Sequence, residues 1–304
     1  MKCLVNNRYN TFSDFLKKEF GRRLVKLPIE AGFTCPNRDG SVGVGGCIFC
    51  SGSARSNLTV KEQILDKKKS LESKWKNSVY CAYFQSYSNT YGDLEHLKEL
   101  YEEALSVDGI VALAIGTRPD CLGEDVLDLL SNLNEKTYLW LELGLQTIHD
   151  KTAGFINRGY GLEVYEKAVN NLRERNIRYM THLIFGLPFE SREMILESVK
   201  YIAKDKPFGV KFHSLFIEEG TRLAEIYKRG EFESLSLDGY VDLVVEAISL
   251  MPEETIISRI TGDGDKSKLL APKWAADKLS VISLINKKMK EKNIKQGCKK
   301  ATED

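Results

Sequence analysis

The stretch LVKLPIEAGFTCPNRDGSVGVGGCIFC, residues 24–50, places a predicted β-strand directly before a loop with three cysteines, Cys35, Cys47 and Cys50. The loop also contains five glycines, which let the backbone wrap closely round a metal cluster. Three thiolates can hold three irons of a four-iron, four-sulfur cube and leave the fourth iron without a protein ligand. Because electron-transfer clusters normally close all four positions with cysteine, an open iron favours chemistry on a bound small molecule over electron storage.

Two other interpretations of the three cysteines stay open at this point. A structural zinc site normally has four ligands, usually in two closely spaced pairs. Here one pair exists together with Cys35, and no histidine lies within 45 residues of the loop. A fourth ligand could come from Cys81 or Cys121 only through the fold. The third interpretation is that the cysteines are unrelated and buried.

The composition is that of a globular chain. It has 304 residues, of which 42% are hydrophobic and 29% charged, enough apolar material for a sizeable core. The net charge of +1 means that any polyanion site must be a local patch. The N-terminus lacks the apolar run of a secretory signal, and no window approaches the roughly 18 apolar residues of a membrane span. With seven scattered cysteines, including Cys3, Cys81, Cys121 and Cys298, we predict a reduced, cytoplasmic protein rather than a disulfide scaffold.

Strand-like and helix-like segments alternate, which predicts an α/β fold with a parallel sheet flanked by helices. Six β-α steps fit an incomplete, TIM-like (β/α)6 barrel better than the eight of a closed barrel. The pattern alone does not exclude a doubly wound open sheet. The predicted strands are residues 24–30, 78–85, 110–116, 137–145, 178–186 and 209–216.

The rhythm loosens after about residue 220. We therefore predict a barrel core at residues 1–220 and a small α/β extension packed on it at residues 221–304, with a short strand at 255–260. A basic tail at residues 287–300 contains seven lysines and one glutamate. The tail is interpreted either as solvated or as an arm that contacts phosphates. Arg22, Arg23 and Lys26 could add to such a basic face.

Polar side chains follow or interrupt the predicted strands. Barrels and open α/β sheets bind ligands at the carboxyl ends of their strands, so we expect these side chains to converge on one rim with the cysteine loop. The rim candidates are Gln85, Ser86, Asn89, Thr90, Thr117, Arg118, Asp120, Glu142, Gln146, His182, Gly186 and His213.

Several of these residues have more than one interpretation. A buried carboxylate is costly unless it is paired, so Glu142 either forms a structural pair with a lysine or arginine or contacts a ligand. Arg118 either holds an anion or forms a surface ion pair. His182 and His213 are either hydrogen-bonded core histidines or acid–base groups. Cys121 either faces the pocket or packs inertly.

The cysteine spacing C-x11-C-x2-C, with Phe49 before the last cysteine, resembles the radical S-adenosylmethionine superfamily, whose commonest spacing is the shorter C-x3-C-x2-C. The segments GFTCPNRDG, GGCIFC, YFQSYSNTY, GTRPDCL, ELGLQT, NRGY, HLIFGLP and TGDGDK resemble its YhcC/YtqA-like (MnmL-type) branch. That branch is related to the radical domain of the catalytic subunit of Elongator. The resemblance extends over about residues 8–285.

The resemblance implies a [4Fe-4S] cluster on Cys35, Cys47 and Cys50, whose open iron binds the methionyl amine and carboxylate of S-adenosylmethionine. One electron from the cluster would cleave a carbon–sulfur bond, and the 5′-deoxyadenosyl radical would abstract a hydrogen atom from the substrate. The resemblance also implies a low-potential electron donor of the flavodoxin or ferredoxin type.

The resemblance further suggests roles for individual residues. From its position after GTRPD, and not from the resemblance, Cys121 is a candidate donor of a hydrogen atom to a substrate radical, and His182 is a candidate catalytic acid or base. Contacts to S-adenosylmethionine are expected from Phe49, Gln85, Ser86, Arg118, Glu142, Gln146, Arg158 and Gly186.

Three functions remain as alternatives. The branch has been linked to tRNA, with conversion of a carboxymethylaminomethyl side chain on the wobble uridine to an aminomethyl side chain. The segment HLIFGLP is also similar to radical enzymes of small molecules, such as tetrapyrrole precursors. The third alternative is a non-catalytic zinc-binding module that docks RNA or a protein.

Overall fold

The structure is a computed structural model, and it describes residues 8–52, 56–71, 73–262 and 264–299. Of the residues quoted above, Cys3, Asp263 and Lys300 lie outside the described residues.

The described part of the chain contains nine strands, ten α-helices and two short 3-10 helices. The strands are β1 (Leu24–Ile29), β2 (Val79–Phe84), β3 (Ile110–Thr117), β4 (Tyr138–Gln146), β5 (Arg178–Phe185), β6 (Gly209–Ser214), β7 (Ile217–Glu218), β8 (Ile256–Arg259) and β9 (Leu269–Ala271). The helices are α1 (Phe12–Phe20), α2 (Val60–Leu71), α3 (Leu94–Leu105), α4 (Glu124–Lys136), α5 (Asp150–Phe155), α6 (Leu162–Glu174), α7 (Arg192–Lys204), α8 (Arg222–Lys228), α9 (Leu237–Leu250) and α10 (Lys278–Glu291).

Seven of the strands form one parallel, curled sheet in the order β1-β2-β3-β4-β5-β6-β8. The predicted incomplete barrel is therefore confirmed. Every residue of β2 is buried, as expected for a strand covered on both faces. β7 and β9 form a separate antiparallel pair.

The short strand predicted at residues 255–260 is the seventh strand of this sheet rather than part of an appendage, because Gly209 and Val210 of β6 pair with Ile256 and Ile257 of β8. The alternating pattern could not reveal this, since a four-residue strand carries no periodic signal of its partner. The predicted boundary near residue 220 stays a prediction.

The two faces of the sheet pack against different hydrophobic clusters. Val25, Leu27 and Ile29 of β1 pack outward in the main core, which also contains residues of α2 and the later helices. The intervening Lys26 points the other way, towards the rings of Phe12, Tyr83 and Trp140. Strand alternation thus places a cation inside the barrel.

The backbone of the lysine-rich segment is packed on the protein, while most of its described lysine side chains are exposed. Its role, as a solvated tail or as an arm that contacts phosphates, stays a prediction. Gln296 is 5% exposed, donates to Thr255 O at 2.7 Å and accepts from Asn10 N at 2.8 Å. Lys288 and Lys292 both pair with Asp242 of α9. Among the described residues, no helix is long and apolar enough to span a bilayer.

Candidate active site

The cysteine loop lies at the carboxyl end of β1, where its own backbone holds it in place. Cys35 O accepts from Arg38 N at 2.8 Å, and Cys50 N donates to Cys47 O at 2.9 Å. Ile48 N donates to Ile156 O at 3.1 Å, which ties the loop to the end of α5. The three thiols lie close enough to act on one another electrostatically.

The surroundings of the sulfurs fit a cluster that spans all three. Asn37 Nδ2 lies 3.9 Å from Cys47 Sγ, and Arg38 Nη1 lies 3.6 Å from Cys50 Sγ. Such N–H donors stabilise anionic cluster sulfur. Burial raises the pKa of the Cys47 thiol to about 11, although Arg118 acts in the opposite direction, and metal binding would remove that proton. Within the described ranges, no three His, Cys, Asp or Glu side chains are gathered as ligands of a single metal ion.

Two cavities open beside the loop. The first cavity, of about 200 Å³, is lined by Cys47, Gln85, Arg118, Glu142, Arg158 and Tyr160 among others. The second cavity, of about 300 Å³, is lined by Phe49, Cys50, Ile184, His213, Phe216 and Glu218 among others. Gln146 and His182 line both. Most of the rim residues predicted from the strand ends therefore lie together around these two cavities.

Three predicted site residues line neither cavity. Ser86 Oγ donates to Glu30. Gly186 has a φ of 92°, and a Cβ there would lie 3.1 Å from the side chain of Leu235, so packing and backbone conformation already explain the glycine. Cys121 is 7% exposed with its thiol 3.8 Å from Asp120 Oδ1, and burial raises the pKa of that thiol to about 12. Their ligand and catalytic roles stay predictions.

Arg118 forms an ion pair with Asp120 that is largely buried rather than on the surface. Its guanidinium donates to both carboxylate oxygens of Asp120, at 2.8 and 2.6 Å, and to Arg158 O at 2.8 Å. Burial alone would lower the pKa of Arg118, but Asp120 outweighs it and raises that pKa. The side chain is therefore a fixed cation at the wall of the first cavity.

Arg158 holds the end of β4. Its Nη1 donates to Leu145 O at 2.8 Å and to Thr147 O at 2.6 Å, and its Nε donates to Tyr160 O at 3.0 Å. These bonds satisfy carbonyls where the strand stops. The predicted contact of Arg158 with a ligand carboxylate stays a prediction, although the residue lines the first cavity.

Glu142 is fully buried and paired with two lysines. Lys26 Nζ lies 2.8 Å from its Oε1, while Lys211 Nζ and the Tyr83 hydroxyl contact its Oε2. Trp140 Nε1 donates to Oε1 at 3.3 Å. Burial opposes the charge, but the two lysines outweigh it and hold the pKa of Glu142 well below its ordinary value. The structural-pair interpretation of Glu142 thus describes what is observed.

Lys26 and Lys211 were not expected inside the barrel. By sequence Lys26 could add to a basic face, but in the structure its amine contacts Glu142 inside the barrel. Burial, partly offset by Glu142, lowers the pKa of Lys211 to about 7. A signal did exist in the sequence, because each lysine is a single charge inside an apolar strand, as Glu142 is in β4.

His182 of β5 and His213 of β6 are neighbours, and both line the second cavity. The ring centroids of His182 and His213 are 5.3 Å apart, and His182 Nε2 lies 3.4 Å from Glu142 Oε2 without hydrogen-bond geometry. Burial and Lys211 lower the pKa of His182 to about 4. Burial and His182 lower the pKa of His213 well below its ordinary value. Neither is therefore a satisfied core histidine.

Gln146, shared by both cavities, has a strained backbone. Its φ is 69°, in the left-handed region, where the pairing of β4 with β5 shifts register. A residue other than glycine seldom adopts this conformation without a functional or packing reason.

Comparison with known proteins identifies relatives. The profile of the Radical SAM superfamily matches residues 34–202, and that of the Radical SAM C-terminal domain matches residues 207–291. The uncharacterized protein YtqA of Bacillus subtilis is 42% identical over 299 residues, covering 96% of this chain and 93% of YtqA. The tRNA uridine(34) acetyltransferase of Methanocaldococcus jannaschii is 31% identical over 191 residues, covering 62% of this chain and 34% of that protein. The structure of Methanocaldococcus infernus Elp3 with an N-terminal deletion superposes with a TM-score of 0.68 at 21% identity, covering 90% of this chain and 64% of that one.

Proposed function

The chain belongs to the radical S-adenosylmethionine superfamily, and from this premise we propose that it is an enzyme that modifies the wobble uridine of tRNA. The proposed change converts a carboxymethylaminomethyl side chain to an aminomethyl side chain. The bond between the nitrogen and the carboxymethyl carbon would break, and that carbon, oxidised by two electrons, would take its oxygen from water and leave as glyoxylate. S-adenosylmethionine would be the oxidant and would be reduced to methionine and 5′-deoxyadenosine. The superfamily uses a [4Fe-4S] cluster and S-adenosylmethionine, which supply a radical that abstracts a hydrogen atom from the substrate. This membership excludes the non-catalytic zinc-binding module.

The cysteine loop would hold that cluster, and the first cavity would hold the cofactor beside it. Cys35, Cys47 and Cys50 are the thiols available to the cluster, with Asn37 and Arg38 as donors to sulfur. Arg118 presents a permanent positive charge at the wall of this cavity.

One observation carries the choice of tRNA as substrate. The part of the chain that matches the tRNA uridine(34) acetyltransferase of M. jannaschii extends over 191 residues. A match of 191 residues is longer than the whole extension predicted at residues 221–304, so it includes part of the radical core, and we infer a shared substrate class. The net charge of +1 is compatible with this proposal because a local patch suffices for RNA contacts. The cytoplasmic location stays part of the proposal.

Nucleoside analysis of tRNA tests the proposal. Cells without the gene should accumulate the carboxymethylaminomethyl nucleoside and lack the aminomethyl product. Plasmid-borne wild type should restore the product, and Cys50→Ala should not. The variant His96→Gln serves as the matched control, because His96 is exposed on α3, away from both cavities. An unchanged nucleoside profile would contradict the tRNA proposal and favour a small-molecule substrate.

A further inference from the structure

The cysteine loop holds Arg38 with its guanidinium beside one of the cluster thiols. Arg38 Nη1 lies 3.6 Å from Cys50 Sγ, and Arg38 N donates to Cys35 O at 2.8 Å, so the residue is tied to two of the three cysteines. Arg38 lines neither the first nor the second cavity. The residue is therefore placed to act on the cluster ligands rather than on the cofactor or the substrate.

The Arg38 side chain is held in place by neighbours on two loops. Its guanidinium carbon lies 5.3 Å from the centroid of the Tyr87 ring, within the range of a cation–π contact. Tyr87 itself has a φ of 64°, a left-handed conformation that is uncommon for a residue with a large side chain. A Cβ at Gly46 would lie 3.0 Å from Arg38 Cγ and 3.1 Å from its Nη1, so glycine leaves the room that this side chain occupies. The surrounding structure therefore fixes the orientation of the guanidinium towards Cys50.

Arg38 is also a cation whose charge the protein does not balance. The nearby Arg118 donates to both carboxylate oxygens of Asp120. Within the described ranges, Arg38 has no carboxylate as an ion-pair partner, and the adjacent Asp39 accepts from Ser41 N at 3.1 Å and from Ser41 Oγ at 2.8 Å instead. Because a guanidinium is always protonated in a protein, a full positive charge lies beside the cluster thiol.

We propose that Arg38 raises the reduction potential of the [4Fe-4S] cluster through its contact with Cys50. Reduction adds one electron to a cluster that three thiolates already make negative, and no bond forms or breaks in that step. The potential of such a cluster depends on its net charge and on the hydrogen bonds to its sulfurs. An N–H donor and an unbalanced cation stabilise the reduced form more than the oxidised form, because the reduced form carries more negative charge. Since it acts through a cluster ligand, Arg38 is a positioning residue rather than a catalytic one.

This role does not depend on the identity of the substrate. The cluster accepts one electron before S-adenosylmethionine is cleaved, whichever molecule the radical then attacks. Without Arg38 the same electron donor would reduce a smaller fraction of the cluster, because the free energy of electron transfer follows the difference in potential. The inference therefore stands apart from the choice of tRNA as substrate, and its test needs no RNA.

A potentiometric titration of the anaerobic, cluster-loaded protein tests this role in the absence of S-adenosylmethionine and tRNA. Titanium(III) citrate supplies the electron and is oxidised to titanium(IV), and the electron paramagnetic resonance signal of the reduced cluster measures the fraction reduced. Arg38→Gln removes the charge and should lower the equilibrium constant for reduction about tenfold, which is a midpoint about 59 mV lower. Arg38→Met, measured in the same way, keeps the test independent of the folding of one variant. Arg38→Lys keeps a positive charge and should lower that constant by less than about threefold.

Arg22→Gln is the matched control, because Arg22 is an exposed arginine at the opposite end of β1 from the cysteine loop. The six residues of β1 span about 20 Å, which exceeds the Debye length of about 8 Å at physiological ionic strength. Arg22→Gln should leave the midpoint unchanged, although it alters the net charge of the protein as much as Arg38→Gln does. Iron content of about four per chain and thermal melting show that each variant is loaded and folded.

Three results would overturn the inference. The first is a midpoint in loaded Arg38→Gln or Arg38→Met that equals the midpoint of the wild type. The second is an equal shift in Arg38→Lys or in Arg22→Gln, because the shift would then not come from a lost charge beside Cys50. The third is a folded Arg38→Gln that fails to hold iron, since Arg38 would then serve to assemble the cluster. The tRNA proposal is unaffected by any of them, because the nucleoside profile tests it separately.

Discussion

The first and second cavities differ in how the protein satisfies the polar groups that line them. In the first, Arg118 is bound by Asp120, Arg158 by backbone carbonyls, and Glu142 by two lysines. Among the described residues, His213 and Glu218 line only the second cavity and each has a buried polar atom without a hydrogen-bond partner, while His182, which also has one, lines both cavities. Groups paired within the protein hold a fixed geometry, whereas unpaired buried groups await a ligand. The comparison teaches that burial and charge alone do not mark a ligand-binding residue, and that unsatisfied hydrogen-bonding capacity is the better guide.

Removing a cluster thiol should have the largest effect, since it dismantles the centre that both cavities adjoin. Cys50→Ala should reduce iron from about four per chain to less than about one and abolish formation of 5′-deoxyadenosine. Iron analysis and the visible spectrum of anaerobically purified protein measure this. Cys298→Ala is the matched control, because Cys298 is exposed on the C-terminal segment. Full iron content in Cys50→Ala would disprove the assignment of this thiol to the cluster.

The charged groups of the first cavity, which are paired, should contribute more to the stability of the protein than those of the second cavity. Glu142→Gln leaves Lys26 and Lys211 without their counter-charge and should lower the free energy of unfolding by about 3–5 kcal/mol. Glu218→Gln should lower it by less than about 1 kcal/mol, because its Oε2 has no hydrogen-bond partner among the described residues to lose. Urea unfolding of the two variants beside the wild type gives the comparison. Similar losses in both would remove the distinction between the cavities.

The sequence predicts those parts of this arrangement that depend on local patterns. The cysteine loop and the strands are local patterns, so the barrel and most of the rim were predictable from them. Lys26 and Lys211 meet Glu142 across 116 and 69 residues of chain. Only the curl of the sheet makes these contacts, and no local pattern encodes them.

Contacts that the sequence did not indicate have the same physical origin. Ser86 stands at a strand end like Gln85, yet a hydrogen bond to Glu30 turns its hydroxyl to another partner. The lysine-rich segment resembles a solvated tail by composition, but Gln296 anchors it through hydrogen bonds to residues more than 40 positions away. Composition gives the charge of a segment, but contacts with distant residues determine whether its backbone packs on the protein.

The pH dependence of stability should show how much the ionised Glu142 carboxylate of the first cavity contributes to folding. Its pKa in the folded protein lies well below the ordinary value of 4.5, so the folded state binds fewer protons than the unfolded state in this range. Stability from this group is therefore fully present above about pH 4.5 and is lost as pH falls towards the folded pKa. Between about pH 5 and 3, the wild type should lose up to about 1.4 kcal/mol per pH unit more than Glu142→Gln. Parallel slopes in urea unfolding at several pH values would contradict the ion-paired state of Glu142.

The smallest expected effect on stability comes from Gln146, the residue that joins the two cavities. Its left-handed backbone is strained for any residue with a Cβ, so Gln146→Gly should leave the free energy of unfolding unchanged or raise it by up to about 1 kcal/mol. Asn176→Gly is the matched control, because Asn176 has a φ of 54° just beyond α6 and lies outside both cavities.

Turnover then separates the two glycine variants. If the strain at Gln146 serves to aim its amide into the cavities, Gln146→Gly should lose at least about tenfold in 5′-deoxyadenosine formation while Asn176→Gly keeps wild-type activity. Equal activity in both variants would mean that the strained backbone at Gln146 only accommodates the register shift between β4 and β5. A stability gain with a loss of activity is the combination that a functional conformation predicts, because the protein then retains a strained residue for its position rather than for its contribution to folding.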